Sequence, residues 1–278
     1  MPNKIDPEIL KSLPELPIEE QREILSLLEQ HEEAGKKESA RDGFMGFVNY
    51  VWPAFIEGRH HKIMARAFER VASGELRRLI INMPPRHTKS EFASFLLPSW
   101  FLGRYPEKKI IQTAHTAELS VGFGRKVRNL VGSDDYKNIF PSVALRADSK
   151  AAGRWSTNKG GEYFAIGVGG AVTGKGADLL IIDDPHSEQE GQSADSGVFD
   201  RVYDWYTSGP RQRLQPGGSI ILVMTRWHKR DLTGQILKSS AQRAGTDDWE
   251  VIEFPAIMPS GKALWPEFWS LEELTALR

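Results

Sequence analysis

The sequence contains no cysteine. That excludes disulfides, thiolate catalysis and thiolate-ligated zinc, and it accords with a reducing compartment. There is no run of eighteen or more apolar residues, so no membrane span is expected. The amino terminus, MPNKIDPEILKSLPELPIEEQ, lacks the basic, apolar, small-residue order of a secretion signal. Internal repeats and low-complexity tracts are also absent. Net charge is −1, with 36 Lys and Arg against 37 Asp and Glu, so there is no global basic signature for nucleic acid. The average hides an asymmetry. Residues 1–42 hold 6 Lys and Arg against 11 Asp and Glu, and the remainder 30 against 26. A mildly basic body behind an acidic leader suits a protein that grips DNA on one face, and equally one that never meets it. What is present is ordinary for a globular chain: 278 residues, 40% hydrophobic and 26% charged, enough for one large or two modest domains with a buried core.

Residues 1–43 read as an acidic helical appendage and linker. Pro14 and Pro17 punctuate it, and Ile18, Ile24, Leu25 and Leu28 fall near one face of a short amphipathic helix that would pack on the body. GKKESARDG (35–43) then reads as a polar linker. From residue 44 helices and strands alternate. HHKIMARAFERVASGE (60–75) is helical and leads into the strand LRRLIINM (76–83). The helix SEFASFLLPSWFLGR (90–104) precedes the strand KKIIQTAH (108–115). ELSVGFGRKVRNLVG (118–132) is helical and is followed by a more irregular region with strand-like EYFAIGVGG (162–170). The strands DLLIIDD (178–184) and SIILVMTR (219–226) complete the set. Strands that are apolar throughout and separated by helices predict a parallel-rich sheet covered by helices on both faces. This α/β body spans 44–245, and 246–278 reads as a connecting segment.

Three segments carry chemistry. MPPRHTKSE (83–91) lies where a strand ends and a helix begins, the place where free N–H groups and the helix dipole converge on an anion. Lys89 and Ser90 supply the cation and hydroxyl that a phosphate-binding loop needs for β/γ-phosphates and Mg²⁺. The glycines of the usual pattern are missing, with Met83 and Thr88 in their places, so an incidental Lys-Ser helix start stands beside the functional reading. LLIIDDP (179–185) is a buried strand delivering Asp183 and Asp184 at its carboxyl end, one suited to Mg²⁺ and the other to the attacking water. A strand that merely stops at an acidic turn is the bland alternative. The conjunction of the two segments argues against coincidence, because parallel sheets bind ligands at the carboxyl ends of their strands. In VMTRWHKRDLTG (223–234), Thr225 stands where a side chain could sense a γ-phosphate. Arg226, Trp227 and His228 follow, placed to relay that state outward.

Together, RRLIINMPPRHTKSE, GGAVTGKGADLLIIDDPH (169–186) and GGSIILVMTRWHKRDLTG (217–234) resemble the ATPase domain of large terminase subunits from tailed bacteriophages, over roughly residues 44–278. The resemblance implies a P-loop NTPase fold of the RecA/ASCE-like kind, ATP and Mg²⁺ as cofactors, and a motor for packaging double-stranded viral DNA. Pro84, Pro85, Arg86, His87, Thr88, Lys89 and Ser90 would form the Walker A loop. Asp183 would be the Walker B magnesium ligand together with Ser90. Asp184 stands where the family places a catalytic Glu, with Glu188 as a substitute base. Arg86 looks like the Walker A arginine acting in cis, and Arg213 is a rival that could act on a neighbouring subunit. Thr225, Arg226 and Trp227 match the coupling motif. His61, with His60 beside it, opens the helix where such ATPases contact adenine, although a surface or core histidine is an equal reading.

The same resemblance implies partners: double-stranded viral DNA, a portal protein, a small terminase subunit, and a nuclease domain that this chain does not carry. It implies a homo-oligomeric ring when assembled, a monomer in isolation, no membrane association, and a place in the host cytoplasm during virion assembly. No nuclease activity is expected. Two other readings stay open. One is a fragment of a superfamily 2-like DNA helicase or translocase. The other is a non-catalytic nucleotide-dependent scaffold, which the missing loop glycines favour.

Overall fold

The computed structural model describes residues 13–192, 197–242 and 247–277. Eight strands form one sheet: β1 (Arg78–Asn82), β2 (Lys109–Ala114), β3 (Leu145–Ala151), β4 (Arg154–Thr157), β5 (Glu162–Gly167), β6 (Ala177–Asp183), β7 (Leu214–Met224) and β8 (Glu250–Glu253). Their spatial order is β3-β4-β5-β2-β6-β7-β1-β8. From β5 to β8 every pairing is parallel. The region expected to be irregular adds β3 and β4 as an antiparallel extension. One strand, β7, lies between the strand that feeds the 83–90 loop and the strand that ends in the acidic pair.

Side chains alternate across a strand, so a strand apolar at every position must be covered on both sides. Leu79, Ile81, Leu179, Ile181, Ile221 and Val223 face one core. Ile80, Leu180, Ile182, Ile220, Leu222 and Met224 face the other. The first core is covered by α1 (Ile18–Asp42) at its carboxyl end, α2 (Phe44–Val51), α3 (Arg59–Ser73), α4 (Leu97–Arg104), α5 (Ala117–Val131) and α6 (Asp134–Ile139). The second is covered by α8 (Gly197–Ser208) and α9 (Leu232–Gln242). Two short helices lie at the rims: α7 (Glu188–Gln192) and α10 (Leu271–Ala276).

Two sequence expectations are corrected here. Residues 35–43 are no linker: the α1 helix runs unbroken to Asp42. Pairs spaced by four, Glu32–Lys36 at 2.7 Å and Glu33–Lys37 at 3.4 Å, support it, and a single Gly35 costs only about 1 kcal/mol. Its end is tied to the body, with Arg41 Nε donating to the Ile139 carbonyl at 2.7 Å and Trp100 Nε1 donating to the Arg41 carbonyl at 3.3 Å. The other end of α1 does not pack as expected. Ile18 is 64% and Leu25 46% exposed, while Ile24 and Leu28 are half-buried.

The carboxyl-terminal segment, expected as a connector, also packs on the body. The β8 strand pairs with β1, and Phe254, Leu264 and Trp265 are buried. The boundary expected between 245 and 246 itself lies outside the described residues, as do residues 1–12 of the expected appendage.

Phe44, the first residue of α2, makes edge-on ring contacts with Phe68, Phe92 and Trp100 at 5.6–5.7 Å. Phe44→Ala is expected to lower stability in urea unfolding by about 3–5 kcal/mol. Leu25→Ala, on the exposed half of α1, should change it by less than about 0.5 kcal/mol. A near-zero effect of Phe44→Ala would show that the amino-terminal helices fold separately from the sheet.

Candidate active site

The β1 strand hands the chain to the 83–90 loop while still paired with β7, since the Met83 N–H donates to the Met224 carbonyl at 3.0 Å. Within the loop Arg86 and Thr88 have φ of 58° and 68°. Left-handed residues interleaved with others turn successive N–H groups toward one concavity suited to an anion. A side chain there costs roughly 1–2 kcal/mol, which explains why glycine is usual. Thr88 offsets the cost through its hydroxyl. It donates to the His87 carbonyl and accepts from His61 Nε2 at 2.7 Å. The other ring nitrogen of His61 accepts the Gly58 N–H at 2.8 Å, which leaves the proton on Nε2. The loop is also held from the carboxyl-terminal segment: Trp269 Nε1 donates to the Arg86 carbonyl at 3.4 Å, and the His87 and Trp269 rings stack at 6.2 Å.

Two ion and hydrogen-bond clusters meet at the carboxyl edge of the sheet. Ser90 Oγ donates to Asp183 Oδ1 at 2.9 Å and Ser94 Oγ donates to Asp183 Oδ2 at 2.7 Å. Lys89 Nζ sits 2.8 Å from Asp184 Oδ2. The other carboxylate oxygen of Asp184 accepts the Thr225 N–H at 2.8 Å, and the Thr225 hydroxyl donates to the Met83 carbonyl at 3.2 Å. Asp184 itself sits at φ 40°, a strained backbone at the turn that leaves β6.

Asp183 is only 2% exposed. Burial, and then repulsion from Asp184, push its carboxyl up to about 7. A buried carboxylate of that kind is short of positive charge. Its neighbours are hard oxygen donors, the set that suits Mg²⁺. Among the described residues no group of three or more His, Asp or Glu converges on one point. One carboxylate and one hydroxyl match a Mg²⁺ that takes its remaining ligands from water and phosphate, so the residues present fit the expected ion.

No family model matches the chain, and no curated protein matches it. Among solved structures the chain is similar to the large terminase of the HK97 bacteriophage. Sequence identity is 16%, the TM-score is 0.47, and the match covers 73% of this chain and 40% of that one. This chain therefore spans less than half the length of that terminase.

The remaining sequence candidates are placed as follows. Pro84, Pro85 and His87 lie in the loop, and the Arg86 side chain is exposed. His61 is fully buried among Phe55, Phe92 and Trp265 and supports the loop from beneath through Thr88. Glu188 opens α7 at the surface four residues beyond Asp184. Arg213 ends the short helical turn Pro210–Arg213 just before β7. That is the amino-terminal edge of the sheet, opposite the site, because Leu214 pairs with Ala177 at the start of β6. Arg226 Nε pairs at 2.8 Å with Asp231, which is fully buried. Trp227 packs closely against Gly191, where a Cβ would come within 2.6 Å of the tryptophan side chain.

Sequence reasoning missed Ser94 and Gln112. Their only signal was a polar residue inside each of two apolar runs, FASFLL and KIIQTA. It also missed Asn82, which accepts from the Thr233 hydroxyl at 3.1 Å and donates to Glu253 at 3.1 Å.

His60 and His61 lie beneath the loop. Burial holds the His60 ring down at about 4 and that of His61 at about 3, reinforced by neighbouring histidines. Above pH 6.5 both are neutral in the folded and unfolded chain and contribute nothing. Below it the unfolded chain takes protons that the folded protein refuses, so stability falls as pH drops toward 4. The His87 backbone is near the His60 ring, a contact too weak to offset the burial. His60→Leu is therefore expected to lose less stability than wild type between pH 7 and 4.5 in urea titrations, and comparing the two slopes cancels the other titrating groups. Identical slopes would mean that His60 is not buried in its neutral form.

Proposed function

We propose that the chain is a Mg²⁺-dependent ATPase, the motor domain of a large terminase that packages double-stranded viral DNA. One observation carries the catalytic part. The loop Lys-Ser pair and the Asp-Asp pair, far apart in sequence, meet within hydrogen-bond distance at the carboxyl edge of a parallel sheet. That is the place and donor set phosphoryl transfer needs. The motif resemblance, which spans the body, supports the packaging role, together with its partners: DNA, portal, small subunit, a nuclease domain and further copies in a ring.

In this reading the loop N–H groups and Lys89 bind the β/γ-phosphates. Mg²⁺, held through Ser90 and Asp183, would supply charge neutralisation there. Phosphate oxygens compete with Asp184 for Lys89. As they win, Asp184 is freed to accept a proton from the attacking water, while the Thr225 N–H keeps its carboxylate oriented. Arg86 is exposed on the same loop and would reach the γ-phosphate in cis. Thr225 is bonded both to Asp184 and to the first loop residue, so a change at the phosphate reaches the Arg226–Asp231 pair and Trp227 directly.

The test is ATP turnover with Mg²⁺, with and without double-stranded DNA, on variants that keep their fold by circular dichroism. Lys89→Ala should abolish turnover, and a folded Lys89→Ala protein with wild-type turnover would sink the site. Asp184→Asn should retain nucleotide binding and lose on the order of 10²–10⁴-fold in rate. If Glu188→Gln alone stopped turnover, the base would move there. Arg86→Ala should cost roughly 10³–10⁵-fold even in dilute monomer, whereas Arg213→Ala, on the opposite edge, should be silent there. Full single-subunit activity of Arg86→Ala would overturn the cis assignment. A wild-type protein that binds ATP without hydrolysing it, with or without DNA, would favour the scaffold reading.

A further inference from the structure

We propose that Ser94, held by Gln112, is a positioning residue that fixes the Asp183 carboxylate for the metal. The inference rests on the ATPase reading above and concerns residues outside the loop motif. Ser94 lies four residues after Ser90, one turn along the helix that leaves the loop, so the two face the same way. They divide the Asp183 carboxylate between them, Ser90 on Oδ1 and Ser94 on Oδ2. A metal that draws on Ser90 and one carboxylate oxygen would still find the other oxygen tied to Ser94.

Ser94 is fully buried, as is Gln112 on β2. Gln112 Nε2 donates to Ser94 Oγ at 2.9 Å and to the Thr113 carbonyl at 3.3 Å. With the amide donating into it, the serine hydroxyl has one proton to place, and it goes to Asp183. The chain Gln112 to Ser94 to Asp183 is therefore directional. Hydrogen bonds that orient a ligating carboxylate characteristically tune metal affinity.

The backbone is shaped to the same end. Residues Glu91–Leu96 form a π-helical turn, in which the Leu97 N–H donates to the Phe92 carbonyl five residues back. Such turns are rare and concentrate at functional sites. The cause lies in the sequence. Pro98 has no N–H to give the Ser94 carbonyl, and its ring would strike that carbonyl in a regular helix. The widened turn removes the clash and sets the Ser94 side chain against β6.

The experiment follows binding of a fluorescent ATP analogue by anisotropy as Mg²⁺ is titrated, with an EDTA sample for metal-free binding. Ser94→Ala is expected to raise the Mg²⁺ concentration at half-maximal binding by roughly 10–100-fold and to leave binding in EDTA unchanged. Gln112→Leu should shift it in the same direction by less. Ser120→Ala removes another buried hydroxyl, one that donates to the Ile166 carbonyl at 2.7 Å, and should lower the melting temperature without moving the Mg²⁺ midpoint. A folded Ser94→Ala protein with a wild-type midpoint would overturn the proposal. If Ser94→Ala does not fold, an unshifted Gln112→Leu overturns it. Failure of the wild-type protein to bind the analogue at any Mg²⁺ concentration would instead overturn the ATPase reading.

Discussion

Asp183 sits at the end of a strand buried on both faces, where water cannot solvate its charge, so its stabilisation has to come from the protein or from a cation. Much of the surrounding architecture answers that requirement. Ser90 comes from the start of the helix after the loop, Ser94 from the next turn, and Lys89 lies close enough to offset the charge while bonded to Asp184. The position of β6 between β2 and β7 decides which elements can supply those groups. Gln112 arrives from β2 and Thr225 from the end of β7.

The same edge links the loop to the rest of the molecule. Thr225 joins Asp184 to Met83, and two residues on, Trp227 rests on the helix that follows the acidic pair. On the far side of β7, Asn82 joins Thr233 of α9 to Glu253 at the end of β8. Glu253 lies 3.7 Å from Arg226. The carboxyl-terminal segment then returns to the loop through Trp269. A shift in the loop backbone therefore has contacts through which to reach the end of β7 and the carboxyl-terminal segment together, because each is bonded to it at short range.

The loop also shows how a missing glycine is accommodated. A side chain at φ 68° is costly, and Thr88 is tolerated because His61, immobilised in an aromatic cluster, offers a hydrogen bond from below. His61 marks a helix start in the sequence. Its role as a strut for Thr88 depends on a packing contact across 27 residues, which no local pattern encodes. The linker expectation for 35–43 failed for a related reason. Polar composition and a lone glycine looked like a break, whereas the ion pairs along α1 and the docking of Arg41 onto α6 keep it helical.

The sequence by itself determined the five apolar strands β1, β2, β5, β6 and β7, because uninterrupted apolar runs of that length call for a sheet covered on both faces, whereas the polar β3, β4 and β8 carry no such run. It determined that the loop bearing Lys89 and Ser90, and the pair Asp183 and Asp184, stand at the carboxyl ends of two of those strands, since each segment comes directly after an apolar run. Strand order was not legible, because any parallel arrangement satisfies the same periodicity. Only the tertiary structure put β7 between β1 and β6, assigned Ser90 to Asp183 and Lys89 to Asp184, and brought Ser94 and Gln112 to the Asp183 carboxylate. The Ser94 contact depends on how the π turn before Pro98 lies against a neighbouring strand, and such distances are set by packing in three dimensions, on which spacing along the chain is silent.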